Sequence, residues 1–249
     1  MHFLKGLLFF IVIIIVIAVL ILGYLGFVPG LSDIMGTNKP RDLGIKYTQA
    51  DYDSAGAKNG VKIQVIDSAP DIKTSMVCKG SHQVNASFTS EELTARININ
   101  SANWKYFPVK NVQIKINQDG TGEGSGLLLI NRLAGFAQAT GFADLDIKSV
   151  TSKLKFLRNQ VPFYVKLGVT VKDGQAKLDV QKAELGRLGL PQDLATKYQS
   201  DINYNISRLL SAAAFSGLSV TSADLNGGKL NFNGKLPDIL TTAKEVTGM

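Results

Sequence analysis

From Phe163 to Pro191 the chain alternates apolar and polar residues, turns at Asp173-Gly174, and alternates again. Successive strand residues point to opposite faces, so Phe163, Val165, Leu167, Val169 and Val171 share one face. Tyr164, Lys166, Thr170 and Lys172 share the other, and Ala176, Leu178 and Val180 of the return strand stand opposite the apolar set. Two more blocks repeat the pattern, Val109 to Ile130 around Asp119-Gly120 and Gly217 to Pro237 around Asn226-Gly227-Gly228. Asp-Gly and Asn-Gly supply the positive φ angles that tight hairpins need. The three blocks predict antiparallel hairpins wetted on one side.

Helical patterns separate them. Thr48-x-x-Asp51 predicts a short helix ending near Asn59-Gly60, and Val61 to Ile66 alternates as a strand. Thr89-x-x-Glu92 predicts a capping box ahead of Leu93 and Ile97. Asn131 to Leu157 predicts one broken helix or two short ones. Pro191 opens a segment in which Leu194, Tyr198, Ile202, Ile206 and Leu210 recur every four residues.

Ahead of all this, Leu7 to Val28 is a run of 22 residues without a charge. As a helix it would extend about 33 Å, close to the hydrocarbon thickness of a bilayer. It is longer than a signal-peptide core and ends without a small-residue cleavage site, which predicts an uncleaved anchor with Tyr24 and Phe27 at the interface. The fold class expected is therefore α+β: an N-terminal transmembrane helix followed by a long twisted antiparallel sheet packed on amphipathic helices. The domains expected are a transmembrane signal anchor over 1–28, a juxtamembrane linker over 29–46, rich in Gly, Pro and polar residues, and an extracytoplasmic α+β domain over 47–249. The expected location is the cell membrane, single-pass, with the bulk of the chain outside the cytoplasm.

Composition narrows the chemistry. The formal charge is +7, which favours anionic partners or is a solvated basic surface, and no block of five basic residues exists. Nucleic acid is not an expected partner. A single cysteine, Cys78, excludes an intramolecular disulfide and a cysteine metal cluster. The two histidines, His2 and His82, form no metal motif, and Cys78 has no histidine placed to activate it. Gly120 to Gly126, "GTGEGSG", lacks the Lys-Ser/Thr ending of a phosphate loop and reads as a glycine-rich turn and bulged strand. No catalytic residue, metal ligand or cofactor is expected, and the chain is not expected to be an enzyme.

The order of motifs carries a resemblance. An apolar N-terminus precedes "FTSEELTARIN", "FPVKNVQIKINQDGTGEGSG", "VKDGQAKLDVQKAELGRLGLPQDL" and "LNGGKLNFNGKLP". From Val84 to Pro237 the chain resembles single-pass bacterial envelope proteins that are distantly similar to tubular lipid-binding domains of the bactericidal/permeability-increasing-like superfamily. Gly186, Leu188, Leu190 and Pro191 after the second hairpin, and Gly234-Lys235-Leu236-Pro237 near the end, match best. The resemblance implies a curved sheet around a helix with an apolar groove for an acyl chain, and binding or transfer of a lipid or lipid-linked glycan. The candidate groove residues are Phe163, Val165, Leu167, Val169, Leu178, Val180, Ile202, Ile206 and Leu210; the same residues also read as ordinary core. The expected partners are the membrane, a lipid or lipid-linked glycan, and envelope proteins. A non-catalytic envelope scaffold is the alternative function.

Overall fold

A computed structural model describes residues 2–25, 28, 30–140, 159–213 and 217–247. The predicted helix over Asn131 to Leu157 falls partly outside these residues, as does Phe27.

The chain opens with α1 (His2–Tyr24), and a single turn, α2 (Leu31–Ile34), folds back on its end. The hydroxyls of Ser32 and Thr37 both donate to the Gly23 carbonyl, at 2.9 Å, and so satisfy an end group the helix leaves open. The expectation of a membrane-spanning helix is corrected here. Among the described residues no helix is long and apolar enough to cross a membrane. Along α1 the side chains of Ile13 to Ile17 and Val19 to Leu22 stand exposed.

The capping signals appear as helices. Thr48 and Asp51 form a capping box at the head of α3 (Gln49–Asn59), which ends on Gly60 at φ 67°. Thr89 and Glu92 do the same for α4 (Ser90–Ser101). Between them lie β1 (Lys62–Ala69), β2 (Met76–Lys79) and β3 (His82–Phe88). The three hairpins follow as β4 (Val109–Ile116) with β5 (Thr121–Leu129), β6 (Gln160–Lys172) with β7 (Gln175–Leu185), and, after two helices, β9 (Ser219–Asn226) with β10 (Lys229–Leu236). The first hairpin is followed by α5 (Leu133–Thr140), the second by a two-residue strand β8 (Leu188–Gly189), and the last by β11 (Ile239–Val246).

The architecture is mixed α/β with a curled antiparallel sheet. Eight strands form that sheet, with β6 as its spine. β6 is 13 residues long. One of its edges pairs β5 over Gln160 to Gly168 and then β9 over Thr170 to Lys172, while β7 runs along the other. Two smaller sheets, β4-β5 and β9-β10-β3, are thus joined end to end on one long strand. A second sheet, order β1-β11-β2, contains a parallel pair, β1 with β11, which the hairpin pattern did not predict. It rests on Trp104 and Tyr106, packed with Ala69, Ala243 and Val246.

The helix predicted from Pro191 is broken at Tyr198 into α6 (Gln192–Lys197) and α7 (Gln199–Ala213), and Leu194 and Tyr198 are exposed. The helices α4 and α7 also do not simply lie on the apolar face. Each runs along a free sheet edge and caps it through a polar stripe. Backbone N–H groups of Ile116, Ile114 and Val112 on β4 donate to Ser90 Oγ, Thr94 Oγ1 and Asn98 Oδ1 of α4, at 2.9, 3.0 and 2.9 Å. Those of Val180, Leu178 and Ala176 on β7 donate to Gln199 Oε1, Asn203 Oδ1 and Ser207 Oγ of α7, at 3.4, 2.8 and 2.9 Å. Four helical residues rise about 6.0 Å and two strand residues about 6.7 Å, so an i, i+4, i+8 stripe matches alternate N–H groups along an edge.

Candidate functional site

The period of two divides the large sheet into an apolar face and a face crossed by the segment after α2. On the apolar face Leu167, Val165 and Phe163 of β6 stand opposite Gly122, Gly124 and Gly126 of β5, which in turn pair Ile116 and Ile114 of β4. The alternate glycines of "GTGEGSG" therefore form a row without side chains on that face. β5 pairs β6 without a break, and the bulge of this hairpin lies in β4 between Lys110 and Gln113.

The row leaves a groove of about 220 Å³, walled by Leu93 of α4, Ile114, Ile116, Val165, Leu167, Val169 and Leu225, with Gly122 and Gly124 at its floor. Its ends are closed by side chains over the outer glycines. A Cβ built on Gly126 would lie 2.9 Å from the Phe163 ring and 3.1 Å from Val112, and one on Gly122 would lie 2.9 Å from Leu225. A Cβ on Gly124 would meet only Val165, at 3.3 Å. Among the described residues Glu123 is the one charged residue at the groove, and its carboxylate is turned to the opposite face, where Tyr164 Oη donates to it at 2.7 Å and Asn117 Nδ2 at 3.1 Å. Burial alone would raise its pKa, but these hydrogen bonds, with Lys115 and Lys166 nearby, more than offset that and hold it below the usual range.

The nine candidate groove residues divide. Val165, Leu167 and Val169 wall the groove, and Phe163 closes one end. Leu178, Ile206 and Leu210 pack instead with Val171, Ala176 and Ala223, an apolar cluster that Val169 also joins. Val180 is buried opposite Leu167, and Ile202 is half-buried on α7. The helix at the groove is α4, through Leu93, rather than the one after Pro191. The glycine row is the feature sequence reasoning missed. Its signal was present: Gly at 120, 122, 124 and 126 recurs with the period of a strand, and a strand that lacks side chains on one face leaves space there.

Other reactive groups stand apart from the groove. Cys78 is half-buried in β2, and burial pushes its thiol pKa up, away from a reactive thiolate. Among the described residues no group of three His, Cys, Asp or Glu is placed to hold a metal ion. Comparison with protein-family models, with curated proteins and with solved structures finds no match for this chain.

Proposed function

We propose that this chain binds the aliphatic portion of a lipid or other amphiphile in the groove between α4 and the β4-β5-β6 face. The carrying observation is the groove itself, about 220 Å³ of space that no polar side chain among the described residues enters. Ligand pockets commonly measure about 300–1,000 Å³, so this one suits a segment of an acyl or isoprenoid chain, with the remainder of the molecule outside. About five methylenes leaving water would contribute about 4 kcal/mol.

The test uses the full-length chain. Organic-solvent extraction followed by mass spectrometry should recover an amphiphile, and a fluorescent fatty acid should titrate into the emptied protein. Gly124→Val places methyl groups where the groove is open, at a strand position whose φ tolerates a side chain. It should weaken binding of the probe about tenfold or more, an effect of a size that filling the space of one or two methylenes produces. Binding by Gly124→Val equal to that of the parent, together with no extracted amphiphile, would exclude the proposal.

A second reading, a scaffold that docks other proteins, draws on a different surface. β1 is an edge of the three-stranded sheet, its residues are mostly exposed, and Val65 and Ile66 stand in solvent. An open strand edge is a template for pairing with another chain. Crosslinking through residues placed on β1 distinguishes this reading from the groove, because the two surfaces share no residue.

A further inference from the structure

The opposite face of the sheet carries a polar cleft whose walls, among the described residues, contain no acidic residue. It comprises two adjoining hollows of about 490 and 450 Å³, both bordered by Asn111, Asn159 and Gln160. Lys110 and Arg132 reach one of them and Lys39 the other. Among the described residues neither hollow is lined by an Asp or Glu. Lys39, Lys110 and Arg132 form no salt bridge among the described residues.

The three cations come from three elements whose positions are fixed independently. Lys39 lies on the segment after α2, where its carbonyl accepts from Arg187 Nη2 at 3.3 Å, and two residues on Arg41 is held in two-pronged contact by Glu184. Lys110 is in β4, registered against Leu127 of β5. Arg132 follows β5, and its Nη1 donates to the Phe107 carbonyl at 3.3 Å. Asn111 sits at the β4 bulge with φ 51°, a left-handed conformation that a non-glycine residue seldom adopts. Such positions concentrate at binding sites. Cations gathered with no counter-charge among the described residues repel one another, and an anion removes that cost. Carboxamides beside them offer both donors and acceptors, the set that reads hydroxyl groups.

We infer that this cleft binds a phosphate-bearing, hydroxyl-rich group, through Lys39, Lys110 and Arg132 for the phosphate and Asn111, Asn159 and Gln160 for the hydroxyls. Leu127 and Leu129, which line the cleft, alternate in β5 with the glycines that floor the groove, so the two sites lie on opposite faces and the inference does not rest on the amphiphile reading.

The test titrates full-length protein with glucose 1-phosphate and with glucose, and measures its binding to phosphatidylglycerol and to phosphatidylcholine vesicles. Two variants are carried in parallel, the double variant Lys39→Gln/Lys110→Gln and the conservative Lys110→Arg. Glucose 1-phosphate should bind at least about tenfold tighter than glucose, the double variant should lose about tenfold or more, and Lys110→Arg should retain binding. If the free sugar phosphate binds, the ligand is a soluble group. If only phosphatidylglycerol vesicles bind, with the same loss in the double variant, it is a lipid headgroup. Both outcomes uphold the inference. Equal binding of glucose and glucose 1-phosphate, binding unchanged in a double variant of parental circular dichroism, or binding of neither charged probe overturns it. Fatty-acid uptake by Gly124→Val is read separately, so failure of either site leaves the other standing.

Discussion

His82 joins three segments with the two nitrogens of one ring. Its Nε2 lies 2.8 Å from the Asn59 carbonyl at the end of α3, and its Nδ1 lies 2.8 Å from Asp238 Oδ1 between β10 and β11. A carbonyl only accepts, so Nε2 carries a hydrogen, and the carboxylate facing Nδ1 favours a second. The Asn59 carbonyl first, and then Asp238, raise the pKa above the usual histidine value of about 6.5. The folded protein thus holds this proton more tightly than the unfolded chain does. The stabilisation is complete below about pH 6.5 and is lost as pH rises through the folded-state value. Urea midpoints of the parent and of His82→Gln should therefore differ most near pH 5.5 and converge toward about pH 8.5. A gap of constant size across that range would refute the assignment. Gly60, at φ 67°, leaves the room: a Cβ there would lie 2.6 Å from Nε2. His82 opens β3. Its partners were not legible, because they lie 23 and 156 residues away.

The edge-capping helices cover the β4 and β7 edges of the large sheet against other strands. Thr94 Oγ1 both accepts from the Ile114 N–H and donates to the Ile114 carbonyl, at 3.0 and 3.3 Å, and Thr94 is fully buried. Thr94→Val keeps the shape and leaves both backbone groups unpaired, which should cost about 2 kcal/mol in chemical denaturation. On the other edge, Asn203→Ala with Ser207→Ala frees the N–H groups of Leu178 and Ala176 on β7. An uncovered edge is a template for another strand. Sedimentation velocity should then show self-association that rises with concentration, while the parent shows less; equal behaviour would mean that the apolar stripe of α7, not its polar one, closes the edge. Local signals foretold most elements. Capping boxes and Asp-Gly or Asn-Gly turns act over three or four residues, so Thr48, Thr89, Asp119, Asp173 and Asn226 announce their structures directly. The ladders were hidden because Ser90, Thr94 and Asn98, or Gln199, Asn203 and Ser207, read in sequence as a solvated helix face.

Across the molecule, the segment after α2 acts as a strap over the face opposite the groove. Leu43 N–H donates to Gln113 of β4 at 2.7 Å, and Arg41 grips Glu184 of β7 through Nε and Nη2 at 2.9 and 2.7 Å while lying 4.6 Å from the Tyr164 ring centroid. Burial would raise the Glu184 pKa, but hydrogen bonds from Arg41 and Lys182 overcome it and hold the carboxyl below its usual range. Burial, and then Glu123, push the Tyr164 hydroxyl up to about 12. Arg41→Ala removes the bidentate partner of a carboxylate that is only 6% exposed and should cost about 2 kcal/mol, a value below that of a fully buried pair because Arg41 itself is partly in solvent. Limited proteolysis should cut between residues 38 and 46 sooner in this variant; unchanged cleavage would show that Gln113 and Arg187 hold the strap without Arg41. The sequence by itself determined the three hairpins, the capped starts of α3 and α4, and the division of β6 into an apolar and a polar face, because each depends on neighbours within a few residues and on the fixed periods of strand and helix. Only the tertiary structure decided that β6 joins two smaller sheets, that β1 pairs β11 in parallel, that helices cap edges through polar stripes, that a glycine row opens a groove, and that a linker sequence straps the opposite face. Those outcomes rest on contacts between residues far apart in the chain, for which the local pattern of apolar and polar positions carries no address.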